Sequence, residues 1–200
     1  MNLIITNYQS ALAAYHSLQF DNAISLLVEG GDPQSCELRV KCYLEKAKGE
    51  KAVELCDDAL ANQIEGSFNY WRGVALYIQG ANRNDVLDSF YAASHNKETL
   101  APLGQAFIHY SFRDMDEALK CIVDIKFEDS EADHIRRLIV VQALLDSGRS
   151  SEAIKVLAES YVFLRDNPSL LRTYWAEVME IRIFRSEKRF ELAKVFLDRL

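Results

Sequence analysis

The side chains that could hold a metal or attack a substrate are few and scattered. His16, His95, His109 and His134 stand far apart, and no HxxxH or HExxH spacing sets two imidazoles on one helix face. A thiol needs a neighbouring base to become a nucleophile, and Cys121, flanked in sequence by His109 and His134, offers one such arrangement. Helical spacing, however, puts Cys121 on the face of Ile122 and Ile125, which reads as a packing position. The chain holds no GxxxxGK[ST], GxGxxG or GxSxG, and the acids at 57–58 and 114–117 read as solvated turns rather than a catalytic dyad. No catalytic residue, metal site or cofactor is expected.

The elements that carry these residues follow from composition. With 49% hydrophobic and 26% charged residues, the sequence has the balance of a folded domain rather than a disordered segment. Only 8 Gly and 3 Pro interrupt 200 residues, so the regular elements are long and their connections short, which favours helices. A net charge of −7 argues against a nucleic-acid binder, whose affinity rests on Lys and Arg against phosphate. No apolar run reaches the roughly 18 residues of a membrane span. The opening MNLIITNYQ lacks the basic and apolar regions of a secretory signal. Cys36, Cys42, Cys56 and Cys121 show no CxxC spacing and are expected as buried, reduced thiols of a cytoplasmic protein.

One phrase then recurs six times: a polar turn, an apolar residue, a small residue, and apolar residues three or four further on. It occurs at 18–27 (LQFDNAISLL), 48–56 (KGEKAVELC), 81–90, 112–122, 147–157 and 186–197. The small anchors are Ala23, Ala52, Val86, Ala118, Ala153 and Ala193, at intervals of 29, 34, 32, 35 and 40 residues. A small residue at that point lets a second helix press close. Each phrase follows another amphipathic stretch, such as CELRVKCYLEKA (36–47) or FNYWRGVALYIQG (68–80), with apolar residues at three- and four-residue steps. Pro33, Pro102 and Pro168 fall between helices or at their starts, and the acids of 128–133 precede Arg136 and Arg137 as an early helix macrodipole prefers. The expectation is an all-α chain of about twelve antiparallel helices in six hairpins, a period near 34 being the mark of a helical array.

On these residues the chain resembles the tetratricopeptide repeat (TPR) family in a degenerate form. Its third unit has Tyr70 and Tyr77 seven apart, then Val86-x3-Phe90 and Ala93; the second has Tyr43, Ala52-x3-Cys56 and Ala59; the fifth has Leu144, Gly148 and Ala153-x3-Leu157. Gly73 falls one residue early for the family's glycine. The resemblance covers about residues 6–200. It implies one domain over 1–200, a right-handed α-solenoid of about six hairpins with units near 6–33, 34–66, 67–99, 100–129, 130–167 and 168–200.

In that family the first helices of successive units line a concave groove that binds a peptide or protein segment. Carried over unit by unit, the groove candidates are Glu37, Lys41, Trp71, Ala75, Ile78, Phe107, Tyr110, Leu138, Gln142 and Arg182, with Trp71 and Tyr110 as apolar anchors. The Lys, Asn and Arg clamp by which some members hold acidic chaperone tails is matched only at Lys41, so that ligand is not expected. The resemblance implies a non-catalytic adaptor, scaffold or regulatory module with a protein partner, without direct nucleic-acid contact or membrane insertion.

Charge and chain end suggest a second surface. Residues 85–134 carry 11 acids against 4 bases, whereas 181–200 carry 6 bases against 3 acids. The last phrase stops in mid-pattern at Val195, Phe196, Leu197 and Leu200, an apolar set expected to pack on a partner, a second copy or further sequence. Three alternatives stand beside the adaptor: a structural subunit of a larger assembly using its ends, the sensor domain of a bacterial regulator by analogy alone, or a small helical enzyme.

Overall fold

The computed structural model describes residues 2–27, 31–125, 127 and 130–198, and the regular elements among them are twelve helices. No strand occurs among the described residues. The helices come in six pairs. The first three are α1 (Asn2–His16) with α2 (Phe20–Leu26), α3 (Pro33–Glu45) with α4 (Gly49–Ala61), and α5 (Phe68–Ile78) with α6 (Arg83–His95). The others are α7 (Ala101–Ser111) with α8 (Met115–Lys120), α9 (Ser130–Asp146) with α10 (Ser150–Asp166), and α11 (Leu170–Ser186) with α12 (Phe190–Leu197). One pair falls in each expected unit apart from two helix starts, α1 beginning ahead of residue 6 and α3 at Pro33, one residue ahead of unit 34–66.

One turn closes every pair. The first helix runs into a residue of left-handed φ: Leu18 (59°), Ala47 (52°), Gly80 (71°), Arg113 (62°), Gly148 (73°) and Lys188 (61°). The N–H of the following residue then reaches back five positions, from Gln19 to Ala14 O and from Lys48 to Tyr43 O at 2.9 Å each. The same bond joins Ala81 to Leu76 O and Asp114 to His109 O at 3.0 Å, Arg149 to Leu144 O at 2.8 Å and Arg189 to Phe184 O at 2.7 Å. This is the Schellman arrangement, which satisfies carbonyls left open at a helix C-terminus. A new helix starts within three residues, so its axis must reverse. The small anchor follows five residues beyond the left-handed position in five pairs and six beyond in the pair carrying Val86. Ala23, Ala52, Ala118 and Ala153 are fully buried, and Val86 and Ala193 nearly so. The repeat seen in residue types is therefore also a repeat of backbone conformation.

Helix starts are fixed by side chains. Asp32 accepts from Ser35 N at 2.9 Å ahead of Pro33, Asn82 from Asp85 N at 3.1 Å, Asp114 from Glu117 N at 3.3 Å and Ser169 from Arg172 N at 3.0 Å. Of the four acids in the stretch 128–133, Glu131 and Asp133 stand in the first turn of α9, while Glu128 and Asp129 lie outside the described residues.

The chain forms two compact units, Met1–Gly104 and Gln105–Leu200, and the boundary falls inside α7. In the first unit each hairpin packs on the next, α2 on α3 and α4 on α5, and the first helices also meet, α1 with α3 and α3 with α5. Gly49 shows how close the approach is: a Cβ there would stand 3.0 Å from Ala75 O and 2.5 Å from Gln79 Cγ. The Phe90 ring, buried on α6, fills the space left by two glycines. A Cβ on Gly73 would come within 2.6 Å of it and one on Gly104 within 2.9 Å. The start of α5 is held by carboxylates from its neighbours. Glu37 accepts from Ser67 N at 2.7 Å, while Glu98 accepts from Asn69 N and Tyr70 N at 3.0 Å each. In the second unit α8 packs on α9, α10 on α11, and α9 meets α11.

The turn can be tested directly. An L-residue at left-handed φ costs about 1 kcal/mol relative to glycine. Ala47→Gly should raise stability by about that amount in urea unfolding. Gly80→Ala, where a Cβ meets nothing within 4 Å, should lower it by a similar about 1 kcal/mol through backbone strain alone.

Candidate functional site

The first helices of the last three hairpins end close together in the second unit, and polar side chains join them. Gln142, one turn before the end of α9, donates from Nε2 to Tyr110 Oη on α7 at 2.7 Å. The same nitrogen reaches Asp146 Oδ2 at 3.0 Å, the i,i+4 neighbour on α9. Arg182 of α11 donates from Nη2 to Asp146 Oδ1 in an ion pair. Three expected groove residues, Tyr110, Gln142 and Arg182, thus meet on a carboxylate that sequence reasoning did not single out. A cavity of about 590 Å³ opens beside them, lined by Tyr110, Ser111, Arg113, Met115 and Asp146.

Burial and hydrogen bonding set the protonation of this cluster. Burial would raise the Asp146 carboxyl, but hydrogen bonds from Tyr110, Gln142 and Arg182 outweigh it and hold the group below the usual carboxylate range. Burial, helped by the bond to Asp146, pushes the Tyr110 hydroxyl up to about 12. Asp146 is thus an anion saturated with donors, a poor base, and Tyr110 stays neutral. His109 Nδ1 faces Asp114 Oδ2 at 4.0 Å, and Glu117 pairs with Lys120. Among the described residues Arg113 makes no ion pair, so a guanidinium and the flexible Met115 side chain are what the cavity offers a ligand.

The remaining candidates divide by burial. Trp71, Ala75 and Leu138 are buried in the fold, so they are packing residues and do not offer surface to a ligand. The Trp71 ring lies under the Lys41 ammonium at 5.2 Å, and its buried indole N–H finds no partner among the described residues. Glu37 is occupied as the cap on Ser67. Lys41, Ile78 and Phe107 are half-buried. At the chain end Val195 and Leu197 are exposed, as are Phe190 and Leu192 on the same helix. The Phe196 side chain and Leu200 lie outside the described residues. Cys42 and Cys56 are buried, as expected, and burial pushes the Cys56 thiol up. Cys36 and Cys121 are only half-buried; Cys121 falls one residue past α8, where the helix face that would have buried it has ended. Among the described residues no three His, Cys, Asp or Glu side chains are grouped to hold a metal, and no helix is long and apolar enough to cross a membrane.

No family model, curated protein or solved structure matches this chain.

The hydrogen bond between Asp146 and Tyr110 has a spectroscopic signature. Asp146→Asn should bring the Tyr110 ionisation down from about 12 toward the ordinary value of 10, stopping short because burial remains. The measure is the absorbance titration of each protein minus that of its Tyr110→Phe counterpart.

Proposed function

We propose that this chain is a non-catalytic protein-interaction module. In this reading its TPR-like hairpins stack as a right-handed α-solenoid, and their first helices hold a peptide or protein segment in a cytoplasmic adaptor, scaffold or sensor. The observation that supports it most is the meeting of Tyr110, Gln142 and Arg182 around Asp146 beside an open cavity. These side chains come from first helices only, where the resemblance puts the ligand. The neutral Tyr110, the saturated Asp146 and the unmatched Arg113 suit a surface that fixes the register of a segment through hydrogen bonds and one charge.

A photo-crosslinking residue at Met115 tests this against one at the exposed Lys155 of α10. The expected result is a discrete adduct from position 115 in native extract, lost on Arg113→Glu, and none from position 155. An adduct at 115 that ignores Arg113→Glu, or adducts from 155 alone, would remove the reading.

A second reading has one observation in its favour. Within the eight residues of α12, Phe190, Leu192, Val195 and Leu197 are exposed, an apolar density suited to an assembly contact. A crosslinker at Leu197 that captures a partner when position 115 does not would support the structural-subunit alternative.

A further inference from the structure

The helices α9 and α11 are joined at both ends by ion pairs: Glu131 with Arg172 near their starts, Asp146 with Arg182 near their ends. Between these pairs, one turn from Glu131, lies His134. Its side chain is fully buried, and both ring nitrogens lack a hydrogen-bond partner among the described residues. The ring stacks on Phe163 of α10, with centroids 4.7 Å apart and planes at 18°. A neutral imidazole in that slot costs two unmade hydrogen bonds, which a phenyl group would not. The chain thus carries a titratable group where an apolar one would pack at least as well.

We propose that His134 makes the α9–α11 seam an acid-released latch, so that its protonation parts the two helices and dissolves the Asp146–Arg182 junction of the candidate binding site. The charges around it say why. On α9 itself Asp133 is shared by Arg136 and Arg137, each with a nitrogen within 2.8 Å. Arg137 also approaches Glu159 of α10 at 3.8 Å. From α11 comes Arg172, itself buried and bound to Glu131. The neighbouring α8 presents Asp116, Glu117 and Lys120, of which the last two pair with each other. The acids nearest the ring, Glu131 and Asp133, are therefore already claimed by guanidinium groups. A proton on His134 adds a cation beside Arg172 and Arg137 and supplies no new anion. Relief comes from admitting water, and the helix driven away is α11, which carries the repelling Arg172, rather than α10, where the ring stacks on Phe163.

The sign follows from the same surroundings. Burial, with Arg172 and Arg137, brings the folded-state value down to about 4 from the ordinary 6.5. The opened state takes up the proton near 6.5, so the seam is fully closed above that pH. It loosens as pH falls toward about 4, with an opened fraction on the order of tenfold larger at pH 5 than at pH 7.

Hydrogen exchange on the full chain, corrected for intrinsic rates, tests this at pH 7 and pH 5. Protection in α9 and α11 should fall on the order of tenfold at pH 5, while that of α5 in the first unit holds. His134→Phe, which keeps the stack on Phe163, should abolish the difference; His134→Leu provides a second neutral side chain should the phenyl ring fit poorly. Equal loss in either variant, or loss equal in α5, overturns the latch. The effect on binding rests on the function proposed above, and the position-115 crosslink reports it separately. If the seam opens at pH 5 but the adduct persists, the latch stands and the binding-site reading falls.

Discussion

Two helices joined by a three- or four-residue turn must lie against each other, and the space between them admits little more than a methyl group where they approach closest. Much of this structure follows from that constraint. The left-handed residue ends the first helix and reverses the chain, and the small anchor five or six positions later receives the first helix's side. With one face of each helix committed to its hairpin partner, the apolar residues that remain must be covered by the next hairpin. This is why α2 packs on α3, α4 on α5, α8 on α9 and α10 on α11. The glycines serve the same end: Gly49 lets α4 start against α5, and Gly73 and Gly104 make room for Phe90.

Where hairpins meet, polar groups settle the register that apolar packing leaves loose. Glu37 and Glu98 reach from neighbouring segments to N–H groups at the start of α5 that have no partner within the helix. In the second unit Glu131–Arg172 and Asp146–Arg182 pin α9 to α11. Glu131–Arg172 is the buried one of the two, and breaking a buried pair leaves an uncompensated charge and costs more than the pair contributed. The same pins that position Tyr110, Gln142 and Arg182 therefore make the seam sensitive to an added charge, and His134 stands where such a charge would be felt. The proposed binding surface and the proposed response to acid would both follow from one arrangement of helices.

The sequence carried the helices, their pairing and the six anchors, because these depend on local spacing: a turn, a small residue and apolar steps of three and four. It also marked Tyr110, Gln142 and Arg182 as residues of first helices. What it left open is set by neighbours distant in sequence. Periodicity shows which residues share a face and is silent on how deeply that face is covered, so Trp71, Ala75 and Leu138 looked like lining and proved to be packing. Asp146 gave one local hint, its i,i+4 relation to Gln142. Glu98 gave none, since a carboxylate that caps a helix 28 residues earlier resembles any surface acid. His134 was visible only as a histidine without a metal-ligand partner and as a conceivable base for Cys121; its burial and its two arginines belong to the fold.

The most direct measurement is urea unfolding of Ala23→Leu, Ala52→Leu and Ala153→Leu beside Ala61→Leu, the last at an exposed position in the final turn of α4. Overfilling a closed helix contact costs about 1–3 kcal/mol, whereas an exposed substitution stays within about 0.5 kcal/mol. The account predicts the first outcome at all three anchors and the second at Ala61. Anchors that accept leucine as readily as Ala61 does would contradict it.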